Sequence, residues 1–221
     1  LPSGTGNDLA ATLCIPEDAD AAEDLLRKGR VRTLDCGRVR SEGIGERFFI
    51  NVATSGLGVE ISDVNEGELK KRWGKLSYLR ASMEAAKDFD VRELDLYLDG
   101  ELHQVRAVNI VVGNCRYAGG GWLAAPRANP EDGLLDVVII EKLGITDLLQ
   151  LTPASVMKQD YLDKDGVFFA RATEIRVETH PSGLDFTADG EVIGDDPAEF
   201  SIIPRTLKVV GGPEYVEDPA D

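Results

Sequence analysis

The 221-residue sequence predicts a mainly β fold of the α+β class, a β-sandwich preceded by a short stretch of different character. Three observations predict it. Strand-like runs of alternating or β-branched residues recur from Val39 to Val210, separated mostly by irregular turns, which argues against a parallel α/β sheet. Asp99-Gly100, set between two apolar runs, is a strong short-range hairpin signal. The opening residues instead carry helical spacing and resemble the tail of an α/β domain, so the chain divides into residues 1–34 and a sandwich over residues 35–221.

Residues 8–14 read as a short helix stopped near Pro16, and Ala21 to Lys28 as a second helix with Gly29 at its end. The character changes over Thr33 to Gly37. Strands begin at Val39, and Arg47 to Val52 leads into a glycine-rich turn at Ser55-Gly56-Leu57-Gly58. Residues 61–75 are polar and of mixed charge, as in a mobile loop. Leu76, Leu79, Met83 and Ala86 share helical spacing, which places a helix over 76–89. Glu93 to Leu98 alternates, Leu102 to Val112 returns after the hairpin, and Leu134 to Ile140 is a further strand. Ile145 to Lys158 reads as a helix bent near Pro153. Strands follow at 166–179, 184–187, 191–193, 200–203 and 206–210, and the acidic end from Glu214 is expected to fray.

Composition narrows the function classes. Forty acidic against 24 basic residues give a net charge of −16, which repels nucleic acid and opposes simple electrostatic attachment to an anionic membrane. Such a surface suits a salty cytosol and equally an ordinary acidic cytosolic protein. The 43% apolar content is enough for a sizeable core. Cys14, Cys36 and Cys115 are odd in number, and with only His103 and His180 beside them they make neither a disulfide scaffold nor a Cys/His zinc site; they are expected reduced and buried. No run approaches the ~18 apolar residues of a membrane span, so an integral membrane protein is not expected. The default is a cytoplasmic protein.

Four places concentrate carboxylates and glycines. Leu1-Pro2-Ser3-Gly4-Thr5-Gly6-Asn7-Asp8 can turn at its glycines and leave N–H groups facing an anion, with a helix start behind them. No Gly-Lys-Ser/Thr follows, so it is not a Walker loop, and a plain turn with Asn7 or Asp8 capping a helix is the alternative. A domain seldom starts inside a binding loop, so residues are expected upstream. Asp35 stands just before Gly37, where the composition changes. Asn129 to Asp136 resembles a turn offering a hard cation the Asp132 carboxylate and the carbonyls of Asn129 and Leu134; from spacing alone an Asp-Gly turn entering a strand is the favoured reading. Asp189-Gly190-Glu191 reads as a hairpin turn or as a general base at a loop tip. Asp99-Gly100-Glu101 is the same tripeptide in a clean hairpin, so the tripeptide alone decides nothing. Between these lies Gly113 to Trp122, whose glycine triplet at 119–121 suits tight packing or close approach to a ligand.

In order along the chain these segments resemble the soluble diacylglycerol kinase family of lipid kinases. Pro2 to Ala10 is similar to its Pro-x-Gly-Thr-x-Asn-Asp-Phe-Ala segment, with Leu9 in place of the phenylalanine. Asp35-Cys36-Gly37 is similar to its Asp-x-Gly step, and Phe49 to Ala53 with Gly56-Leu57-Gly58 to its Phe-x-Asn and Gly-x-Gly segment. Asn114 to Gly121, Ala125-Pro126 and Asp132 to Asp136 resemble its glycine loop and metal turn, and Asp189-Gly190-Glu191 its Asp-Gly-Glu motif. The resemblance spans nearly the whole chain.

The resemblance implies an α/β nucleotide domain and a β-sandwich domain with the active site between them, residues 1–34 being a remnant of the first. The family's Gly-Gly-Asp-Gly-Thr loop is absent here, so this chain alone is expected to be inactive. By similarity, Gly4, Thr5, Gly6 and Asn7 face the phosphates of ATP, and Asp8 and Asp35 hold catalytic Mg²⁺ directly or through water. Asp189 takes the proton of the lipid hydroxyl with Glu191 beside it. Asn129, Asp132 and Leu134 hold a second, structural Mg²⁺. The acceptor is diacylglycerol or a related lipid at a membrane surface; sphingoid bases, ceramide and phosphatidylglycerol stay open. A NAD kinase and a non-catalytic lipid- or metal-binding sandwich are the rival readings. An edge strand offers a surface for pairing two copies as a homodimer.

Overall fold

The computed structural model describes residues 2–4, 6–41, 45–56, 91–141 and 161–216. The expected loop at 61–75 and helices at 76–89 and 145–158 lie outside these residues. Helix α1 is Asp8–Thr12 and α2 is Ala19–Lys28. Asp18 caps α2 by accepting the Ala21 N–H at 2.9 Å, and Gly29 ends it.

Fourteen strands follow among the described residues: β1 Arg30–Ser41, β2 Gly45–Phe49, β3 Val52–Gly56, β4 Arg92–Leu98, β5 Glu101–Ala107, β6 Asn109–Gly113, β7 Tyr117–Ala118, β8 Trp122–Leu123, β9 Leu135–Ile140, β10 Val167–Ala172, β11 Glu174–His180, β12 Asp185–Ala188, β13 Glu191–Asp195 and β14 Ala198–Gly211. They form two six-stranded sheets, ordered β2-β1-β14-β11-β4-β5 and β10-β9-β6-β3-β12-β13, with β7-β8 as a small separate hairpin. All strand pairings among the described residues are antiparallel, and the sheets pack face to face as a sandwich. The predicted fold class is the one observed.

Three runs that read as single strands are each divided between the two sheets. Arg47–Val52 breaks at Ile50-Asn51, Leu102–Val112 at Val108, and 166–179 at Thr173. Apolar alternation continues through such corners because both halves face one core. The parity slips where the chain crosses: Ala107 then Ile110 and Val112, and Ala172 then Ile175 and Val177, all line the same cluster. Conversely, the two runs either side of Pro204 are one strand, β14. It passes Pro204 through Arg205 at φ 54°, opposite a register shift of β1 between Leu34 and Cys36. That shift also explains why β1 starts earlier than its sequence shows: the bulge at Asp35 breaks its period of two.

The core holds Phe49, Phe186 and Phe200 in edge-to-face contact, with centroids at 6.4 and 5.5 Å. The Phe49 ring lies directly over Gly37, where an added Cβ would stand 2.2 Å from it. Gly37→Ala is expected to lower stability by ~1–3 kcal/mol through overpacking, read by denaturant unfolding. The outer face of the second sheet is covered as well. Val52, Val111 and Val138 pack under Ala124, Ala125, Ala128, Tyr161 and Leu162, and the Tyr161 hydroxyl donates to Ala124 O at 2.6 Å. This is why β6 and β9 are buried at every position, and it fixes the segment between them against the sheet.

Asp196 secures the far end. Its buried carboxylate accepts the N–H groups of Thr179, Gly183 and Leu184 at 2.7–2.8 Å. Burial raises its pKa, but these backbone donors and Thr179 outweigh that and hold it below the ordinary carboxylate value. A depressed folded-state pKa means stability that is present above the unfolded-state pKa and lost as pH falls through the folded one. Asp196→Asn is therefore expected to cost ~1–3 kcal/mol at pH 7, with the gap to wild type narrowing below about pH 4 in acid unfolding.

Candidate functional site

Asp189 and Gly190 form the two-residue turn between β12 and β13, with φ of 48° and 88°, the left-handed pair that a type I′ hairpin requires. Asp189 is exposed, and its carboxylate turns back onto the Ile50-Asn51 corner. It accepts Ile50 N–H at 2.7 Å, Asn51 N–H at 2.9 Å and Val52 N–H at 3.2 Å, while its own N–H donates to Val52 O at 3.0 Å. A strand that leaves one sheet for the other abandons its ladder, and Asp189 satisfies the N–H groups stranded there.

The Asp99-Gly100 hairpin does the same at another corner. Asp99, at φ 48°, accepts Thr173 N–H, the Thr173 hydroxyl and Glu174 N–H at 2.7–3.0 Å. Fastening a corner is thus a general device of this fold, and what distinguishes Asp189 is its surroundings. Cys36 and Cys115 lie near it: burial pushes both thiols up, and the Asp189 charge pushes them further. Both thiols are free, Cys115 fully buried and Cys36 and Cys14 half-buried. Glu191, exposed, opens β13 opposite Ala188.

Behind Asp189 stands Asn114, wholly buried. Its Nδ2 donates to Ile50 O at 2.8 Å and to Asp35 O at 3.2 Å, and its N–H donates to Asn51 O at 2.9 Å. Asp35 is wholly buried too. Its Oδ2 accepts Gly133 N–H and its Oδ1 accepts Arg205 N–H, both at 2.7 Å, and its own N–H donates to Pro130 O at 2.7 Å. Asp35 therefore ties the bulge of β1 and β14 to the Asn129–Leu134 turn, with both carboxylate oxygens engaged.

The glycine loop closes the other side. Gly119, Gly120 and Gly121 all have positive φ, at 59°, 84° and 107°, which turns two successive N–H groups toward Asp8. Its carboxylate accepts Gly120 N–H at 3.0 Å and Gly121 N–H at 2.8 Å. Asn7, left-handed at φ 54°, folds the opening loop on itself: Gly4 N–H donates to Asn7 Oδ1 at 2.9 Å and Asn7 Nδ2 to Gly4 O at 3.1 Å. It makes no side-chain cap to α1, which has only five residues, so little dipole stands behind this loop. Thr5 lies outside the described residues.

In the turn, Asn129 Oδ1 accepts Glu131 N–H at 3.0 Å and Asp132 Oδ1 accepts Leu134 N–H at 2.9 Å. Asp136, just beyond, is 2% exposed; its Oδ1 accepts Arg171 Nε–H at 3.0 Å, while Oδ2 is buried without a hydrogen-bond partner among the described residues. Burial pushes Asp136 up to about 7; Arg171 opposes this and the Asp132 charge adds to it. The Asp132 charge bears on the buried Asp136, but among the described residues no group of three or more His, Cys, Asp or Glu side chains is arranged to hold a metal ion.

The structure thus brings Asp35 to the Asp132 turn, Asp189 to the Ile50 corner and Asp8 to the glycine loop. The Asn114–Gly121 segment touches all three. The anchoring roles of Asn51, Asn114 and Arg205 had no sequence signal beyond the first two lying within motifs. Residues 51–211 match the YegS C-terminal NAD kinase beta sandwich-like domain, and residues 1–39 match the diacylglycerol kinase catalytic domain. The chain is 33% identical to a diacylglycerol kinase of Mycobacterium tuberculosis over 95% of its length and 67% of the relative's. It is 28% identical to a diacylglycerol kinase of Bacillus subtilis over 98% of its length and 70% of that relative's. A crystal structure from Bacillus anthracis described as a diacylglycerol kinase superposes with a TM-score of 0.75 at 25% identity, covering 96% of this chain and 67% of that one. The chain belongs to the diacylglycerol kinase-like lipid kinases. Among the described residues, no helix is long and apolar enough to cross a membrane.

Proposed function

We propose that the intact protein transfers the γ-phosphoryl group of ATP, with Mg²⁺, to the free hydroxyl of a lipid such as diacylglycerol. The observation that carries this reading is the Asp189 carboxylate: exposed at a hairpin tip, it is fixed by three backbone N–H groups at a corner that Asn114 joins to Asp35. A base held this way takes the hydroxyl proton as the lipid oxygen bonds to phosphorus and ADP leaves. Glu191 stands at the same tip. By the motif resemblance Gly4, Thr5, Gly6 and Asn7 are the residues assigned to the nucleotide phosphates, and Asp8, whose carboxylate accepts the glycine-loop N–H groups, would hold Mg²⁺ there. Asp35, buried and with both oxygens accepting backbone N–H groups, would act on that metal through water. Asn129, Asp132 and the Leu134 carbonyl are the donors for a second, structural Mg²⁺, whose charge would offset the crowded Asp132 and Asp136 carboxylates. The acceptor lies in a membrane, so the protein works at its surface without spanning it.

The test is acceptor-dependent ATP consumption by the intact protein. Diacylglycerol in mixed micelles is expected to raise ATP turnover well above the rate without acceptor, and NAD is expected to leave it unchanged. Stimulation by NAD and not by lipid would overturn the reading.

A further inference from the structure

We infer that Asn114 is a positioning residue, whose side-chain amide ties the Asp35 anchor to the Ile50-Asn51 corner that holds Asp189. The inference rests on the proposed role of Asp189 and goes past it to what sets the direction of that carboxylate.

On one side, Asp35 is locked in place by bonds to Pro130 O, Gly133 N–H and Arg205 N–H, each at 2.7 Å. On the other, Ile50, Asn51 and Val52 donate to the Asp189 carboxylate. The Asn114 Nδ2 group, with its two protons, spans the gap by donating to Asp35 O at 3.2 Å and to Ile50 O at 2.8 Å. Asn114 N–H and Cys115 N–H both donate to Asn51 O, at 2.9 and 2.8 Å, so each carbonyl of the corner is fixed from the same loop. A peptide unit is planar, so holding Ile50 O and Asn51 O sets the aim of Asn51 N–H and Val52 N–H, the two donors to Asp189 Oδ1. The aim of those N–H groups in turn sets the aim of Asp189.

No other side chain of this size does this. Aspartate would set a carboxylate against two carbonyl oxygens in a wholly buried place, and alanine would leave both carbonyls without the donor. Asn114 Oδ1 itself accepts no bond from the described residues, so the side chain is retained for its two donated bonds.

The test uses the intact protein as wild type, Asn114→Asp and Asn114→Ala. Amide exchange at Ile50, Asn51 and Val52 is expected to speed at least tenfold in the variants, with Val111 and Val138 at the sheet centre unchanged. In lipid phosphorylation, kcat is expected to fall at least tenfold while KM for ATP and for lipid stays within twofold. Unchanged exchange at Ile50 to Val52 would overturn the inference. Exchange rising equally at Val111 and Val138, or loss of the fold in both variants, would make Asn114 a merely structural residue and would overturn it too. The exchange readout needs no turnover, so a protein that phosphorylates no lipid would sink the kinase reading and leave this inference to be decided by the amides.

Discussion

Asp189→Asn in the intact protein is expected to lower kcat for lipid phosphorylation by roughly 10²–10⁴-fold, the usual worth of a general base. The variant isolates chemistry from folding. Asn-Gly is at least as good a type I′ turn as Asp-Gly, so the β12–β13 hairpin should persist. The amide oxygen can still accept Asn51 and Val52 N–H, while the NH₂ group would face Ile50 N–H, so one bond of three is lost. Asp99→Asn is the matched control: the same turn residue, the same kind of corner, and no part in the reaction. It is expected to cost stability and leave kcat unchanged. A rate for Asp189→Asn within about threefold of wild type would remove Asp189 from the chemistry.

Asp35→Ala should produce the largest loss of stability of any single change considered. Two part-buried backbone N–H groups, of Gly133 and Arg205, would lose their charged acceptor, at ~1–3 kcal/mol each. A total of ~2–6 kcal/mol corresponds to a melting point lowered by roughly 4–24 °C for a chain of this size. The same loss is expected in Mg²⁺ and in EDTA, because the carboxylate works through backbone bonds. A melting point unchanged in EDTA, with activity abolished, would instead make Asp35 a metal ligand pure and simple.

Much of this was legible in the sequence, for identifiable reasons. The sandwich followed from recurrent period-2 runs and from Asp99-Gly100 and Asp189-Gly190, both of which form left-handed two-residue turns. Helices α1 and α2 followed from spacing and from Pro16 and Gly29. Sheet crossing did not, because corners at Val108 and Thr173 keep apolar residues facing one core, and only a one-residue slip in parity betrays them. Strand β14 looked broken because Pro204 has no N–H, yet the bulge opposite Asp35 absorbs it. At the site, the motif aspartates were visible but their partners were not. Gly120, Gly121, Gly133, Arg205 and the corner at Ile50 act through backbone N–H groups, which no side-chain pattern reveals. Asp99 and Asp189 show the limit most clearly: identical tripeptides make equivalent bonds, and only the neighbourhood of Asn114, Cys36 and Cys115 separates them.

The most direct measurement is the fate of label from γ-labelled ATP given to the intact protein with Mg²⁺, a panel of hydroxyl-bearing lipids and NAD in one mixture. The account predicts label in one lipid product and none in NAD. Label in NAD, or no label in any acceptor from a folded protein, would contradict it.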